Sequence, residues 1–103
     1  MKINLDTPLI GINGEPITGD GGKVATLKDA LLKSATLVIE DDRKLDGSQK
    51  FDLFQIAQGL YKGGVIEIKS EDIALLKDRA SKIFDAMVFG PIHIAIENND
   101  VNG

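Results

Sequence analysis

Between residues 73 and 87 the chain sets Ile73, Leu76, Ala80, Ile83, Phe84 and Met87 on one continuous helical stripe. A stripe this long must be covered, so the remaining sequence has to supply the surface that covers it. Ser70-Glu71-Asp72 stands in front of the stripe. Serine offers a side-chain cap, and two acids favour the positive end of the helix dipole. The pattern predicts the clearest helix of the chain here.

Two further helices are predicted upstream. Thr26 and Asp29 stand three residues apart as a capping box. Leu27, Ala30, Leu31, Ala35 and Val38 follow at helical spacing, although Thr36–Ile39 also fits a strand. Asp46-Gly47-Ser48 offers a cap for the next helix, which carries Phe51, Phe54, Ala57, Leu60 and Tyr61. Lys62-Gly63-Gly64 ends it, with a cation in the last turn and glycine beyond.

Strand signals lie at the N-terminus and in the middle. Ile3, Leu5, Leu9, Ile10 and Ile12 run up to Asn13-Gly14, the pair favoured in a type I′ turn. Glu15–Thr18 would return as an edge strand, because Pro16 has no N–H to donate. Gly19–Gly22 is a turn, and Val65–Lys69 reads as a short strand. Gly90 is expected to break the chain after the long helix. Pro91 suits the first turn of a last short helix, while the alternation Ile92-His93-Ile94-Ala95-Ile96 suits a strand, and both readings stand. Residues 98–103 are expected to fray.

The fold expectation is α+β: an N-terminal β-hairpin followed by three to four short helices and one or two short strands. No repeat is read at any useful period, and no linker interrupts the chain. At 103 residues the chain suits one domain, residues 1–103. Apolar residues at 43% and charged residues at 27% are globular values.

Composition excludes several chemistries. The chain has no cysteine, which removes disulfides, thiolate metal sites and cysteine catalysis. Met1–Asp6 lacks the apolar core of a secretion signal, and no apolar run nears the roughly 20 residues of a membrane span. The expectation is a cytoplasmic protein with no membrane partner. Sixteen acids against twelve bases give a charge of −4, so nucleic-acid binding is disfavoured.

No motif for chemistry is complete in the sequence. Gly19–Lys23 lacks the first glycine of a phosphate loop, since Ile17 stands there, and Val24 replaces its Ser/Thr. Val24 also takes the place of the third glycine in a dinucleotide fingerprint. Asp42 to Leu53 faintly matches a calcium loop, but Lys44 and Leu53 fall where oxygen ligands belong. His93 is the only histidine and has no cysteine partner for zinc. Ser70 and Ser81 lie on no nucleophile-elbow pattern. The pairs Asp41/Asp42 and Glu71/Asp72 are chain neighbours that point apart, unlike a glycosidase pair. The reading is a non-enzymatic chain with no catalytic, cofactor-binding or metal residues. Phe51, Phe54, Phe84, Met87, Val88 and Phe89 are the candidate interface, for a partner or for a second copy of the chain.

Several segments together carry a resemblance. Ile3-Asn4-Leu5, Gly14-Glu15-Pro16-Ile17, Thr26-Leu27 with Ala30-Leu31-Leu32, Leu45-Asp46-Gly47-Ser48-Gln49-Lys50 and Ser70–Lys77 occur in that order. The arrangement resembles small proteins of tailed bacteriophages and prophages that have no assigned activity. It covers roughly residues 3 to 97. These segments are helix starts and turns, so the resemblance brings shape and no catalytic residues. It implies an accessory protein in virion or tail assembly that touches other phage proteins in the host cytoplasm. The alternative it leaves open is a host-directed effector that binds a defence or regulatory protein. Members end in a helical apolar segment, from which the alternation at residues 92–96 departs.

Overall fold

The computed structural model describes residues 1–100. Four helices, α1 (Leu27–Thr36), α2 (Gly47–Tyr61), α3 (Ser70–Ile83) and α4 (Ala86–Asp100), pack with a two-stranded sheet. The sheet joins β1 (Lys2–Asn4) to β2 (Val65–Glu67) in antiparallel register, with Ile3 opposite Ile66. The class is α+β, as the patterning implies. Helix α1 lies at the centre and packs against α2, α3 and α4. Ile3, Leu5, Leu9, Leu27, Leu31, Leu60, Leu76, Ile92 and Ile96 are fully enclosed between these elements.

The N-terminal hairpin is present, but its turn and its extent differ from the expectation. Ile3 and its neighbours leave to pair with β2, so the hairpin is confined to a bridge between Ile10 and Pro16. Among the described residues only glycines carry positive φ, so Asn13 does not occupy a type I′ position. Instead the loop has three residues. Gly11 N–H donates to Glu15 O at 2.8 Å, and Gly14 takes φ 81°. A type I turn closed by a left-handed glycine is the usual three-residue solution.

That hairpin is the first half of a tandem repeat. Pro8-Leu9-Ile10-Gly11 is followed eight residues later by Pro16-Ile17-Thr18-Gly19. The second loop repeats the bonding of the first: Gly19 N–H to Lys23 O at 2.8 Å, with Gly22 at φ 75°. Val24-Ala25-Thr26 closes the set. Ile17 N–H donates to Leu9 O (2.8 Å), Ala25 N–H to Ile17 O (2.8 Å) and Leu9 N–H to Ala25 O (3.0 Å). Three extended segments therefore form a ring in which each donates to the next. Leu9, Ile17 and Ala25 point from it into the core. The reading of no repeat is corrected by this eight-residue period, which is too short for an array.

Two caps form as the sequence predicts. Asp29 N–H donates to Thr26 Oγ1 while Thr26 N–H donates to Asp29 Oδ2. Asp46 and Gln49 make the same reciprocal pair at 2.8 and 3.0 Å. Gly63 and Gly64, at φ 72° and 68°, end α2. The strand reading for Thr36–Ile39 fails, since Leu37 is an extended cap outside the sheet. Ser70 is not a cap either. Lys69 holds that position, without a side-chain bond, and Ser70 is the first helical residue.

In the C-terminal segment the helical alternative holds and the strand alternative fails, while the helix begins before Gly90 and Pro91. Residues 92–96 are helical, and Gly90 and Pro91 lie inside α4. The stripe from Ile73 to Met87 is broken at Phe84–Asp85, where α3 gives way to α4. Asp85 Oδ1 accepts from Met87 N–H (3.1 Å) and Val88 N–H (3.3 Å), starting the new helix five residues before Pro91. The alternation misled because Ile94 is exposed, whereas Ile92, Ala95 and Ile96 are buried at helical spacing. Residues 98–100 continue α4; residues 101–103 of the expected frayed tail lie outside the described residues.

Candidate functional site

Helix α2 has two apolar faces. Leu53 and Leu60 on the inner face are buried against α1. On the outer face Phe51 and Phe54 are each 56% exposed, and Tyr61 is 74% exposed. Their spacing of three and ten residues puts them on one side of the helix. The two phenylalanine rings stack, with centroids 6.3 Å apart and planes 27° apart. Lys28 of α1 sets its Nζ 5.0 Å from the Tyr61 ring centroid, within cation–π range. The outer aromatics lie outside the enclosed core that Leu53 and Leu60 join.

A groove of about 810 Å³ opens beside Phe54. Ala35 and Leu53 lie at its base, and Ala57 and Phe54 extend the α2 wall. The opposite wall is the segment after α1, carrying Val38, Ile39 and Leu45. Val38 is 87% exposed, an unusual placement for a β-branched apolar residue. Glu40, Arg43 and Lys50 stand around the rim.

One buried arginine holds that opposite wall. Arg79 of α3 is 4% exposed. Its Nε donates to Ser34 O at 2.6 Å and its Nη2 to Leu37 O at 2.9 Å. These are carbonyls at the C-terminal end of α1, which a cation satisfies well. Nη1 and Nη2 also reach Asp42 Oδ1 and Oδ2, at 2.5 and 3.3 Å. Asp42 in turn accepts from Ile39 N–H at 2.9 Å. The Arg79 guanidinium holds the Asp42 carboxyl below the usual carboxylate range. Lys82 ties Asp41 and Asp78 nearby, and its bond to Asp41 lowers that carboxyl in the same direction.

The six candidate interface residues do not gather in one place. Phe51 and Phe54 stand on α2 beside the groove. Phe84 and Val88 pack against the core and are only half-exposed. Met87 is exposed on the first turn of α4, and Phe89 is half-buried with its ring 6.1 Å from that of His93. His93 itself faces solvent. Sequence reasoning missed the groove wall and Arg79. The signal for Arg79 was its place three residues after Leu76, on the buried side of α3.

The segments weighed for ligand chemistry have structural duties. Asp42 is taken by Arg79, Asp46 caps α2, and Leu53 is in the core. Gly19–Lys23 forms the second loop of the ring. Among the described residues, no three His, Asp or Glu side chains converge as metal ligands, and no helix is long and apolar enough to cross a membrane. No protein-family model, curated protein or solved structure matches the chain.

Proposed function

We propose that this chain is a non-enzymatic accessory protein that acts by protein–protein contact in phage virion or tail assembly, within the host cytoplasm. The resemblance of its segment order to small phage proteins motivates the setting. The single observation that carries the contact reading is the exposed, stacked Phe51–Phe54 pair on a helix whose other face already fills the core. Aromatic side chains left exposed in a group keep apolar surface in water, and they are among the residue types that anchor interfaces. The groove beside them gives a partner an apolar cleft with a polar rim, the usual anatomy of a contact surface.

Affinity capture from phage-infected cells, followed by mass spectrometry, tests this. The wild-type chain is expected to retain virion or tail proteins that the double variant Phe51→Ser/Phe54→Ser does not. An unchanged set of captured proteins, or none above background for either chain, overturns it.

A further inference from the structure

The groove beside α2 carries charge of a sign opposite to the molecule that bears it. The chain as a whole is at −4. At the groove, Asp42 is neutralised by Arg79, both within the structure's own network. That leaves Glu40 against Arg43 and Lys50 on the rim. All three are exposed, and none of them makes a salt bridge among the described residues. The rim is therefore locally cationic, above a base formed by Leu53 and Ala35, with Phe54 on one lip.

We propose that this groove is the docking site for an acidic amphipathic helix of a partner protein. The inference rests on the contact reading and names the partner's chemistry. Apolar residues at helical spacing would enter between Phe54 and Leu45, the arrangement of helix-in-groove recognition. Carboxylates flanking them would face Lys50 and Arg43. A basic helix would meet unpaired cations and an uncompensated desolvation cost, so the rim discriminates by repulsion as well as attraction. The Arg79–Asp42 pair keeps the Val38–Leu45 wall in place before the partner arrives, which reduces the ordering cost of binding.

The test uses the full chain and two fluorescein-labelled synthetic helices of about 18 residues, with leucines at the same i, i+3, i+4, i+7 positions. One carries Glu at the flanking positions and the other Lys. Fluorescence anisotropy at low salt is expected to show at least tenfold tighter binding of the Glu helix. The gap should shrink as salt rises, because exposed charge pairs are screened. Lys50→Glu with Arg43→Glu should invert the preference, and Phe54→Ser should weaken both helices while circular dichroism stays unchanged. Equal affinity for the two helices, no binding of either, or binding of a labelled oligothymidylate in place of the Glu helix would overturn the inference. None of these results touches the capture experiment, so the contact reading stands or falls separately.

Discussion

Arg79 and Asp42 meet across 37 positions of sequence, with Nη1 2.5 Å from Oδ1, while the same guanidinium also binds two carbonyls at the end of α1. Three elements therefore depend on one side chain: α3 that carries it, α1 that it caps, and the segment that forms the groove wall. Removing one partner of an enclosed ion pair leaves the other charge without compensation. Arg79→Met should destabilise the fold by about 3 kcal/mol in urea denaturation. Arg79→Lys should recover little, because a single ammonium cannot reach Ser34 O, Leu37 O and both carboxylate oxygens together.

Acid should act through the same pair. The folded-state pKa of Asp42 lies below its ordinary value, chiefly because of its hydrogen bond to Arg79. A carboxyl lowered by folding adds stability above its unfolded pKa, and that stability is lost as pH falls through the folded pKa. Unfolding midpoints should hold from pH 7 to about 5 and fall below about pH 4. Asp42→Asn should start lower at pH 7 and show a shallower acid limb. Parallel curves for the two proteins would contradict this.

The glycines divide into two groups with opposite outcomes. Gly14 and Gly22 have positive φ, where an added Cβ is strained whatever the space around it. Alanine at either should cost about 1 kcal/mol by thermal unfolding. Gly59 lies inside α2 with an ordinary helical backbone, and a Cβ there would meet nothing within 4 Å. Gly59→Ala should stabilise by roughly 0.5–1 kcal/mol, since it restricts the unfolded chain and favours the helix.

Helix α4 is tied back to the start of the chain. Asn99 Oδ1 accepts from Asn4 N–H at 3.1 Å, and its Nδ2 donates to Ala95 O at 2.9 Å and Thr7 Oγ1 at 3.4 Å. Asn99→Ala should cost about 1 kcal/mol and speed amide exchange at Asn4 more than at Leu76 in the core. Equal acceleration at both sites would mean the contact supports the whole fold and not this junction.

Local signals were legible and distant ones were not. The Thr26–Asp29 box is complete within four residues, so spacing alone revealed it, and Asp46 was legible as a cap, although its reciprocal bond with Gln49 was seen only in the structure. The glycine stop of α2 was equally local. The partner of Ile3 lies at Ile66, and no periodicity near Ile3 distinguishes that pairing from a hairpin strand. Gly90 argued for a break and the Ile-x-Ile-x-Ile alternation for a strand, and tertiary burial of Ile92 and Ile96 on one helix outweighed both. At the site, aromatic bulk pointed to Phe51 and Phe54. Phe84 and Val88 share that bulk and are used by the core, which composition cannot distinguish. The groove needs Arg79 to hold its far wall, and that relation exists only after folding.

The central claim is that Phe54 and the groove beside it are a working contact surface, and crosslinking in the cell tests it most directly. A photoreactive phenylalanine analogue would be placed at position 54 and, separately, at exposed position 94 on α4. Illumination during infection should join position 54 to one discrete partner and leave position 94 without that adduct. No adduct at position 54, or the same adducts from both positions, would contradict the account.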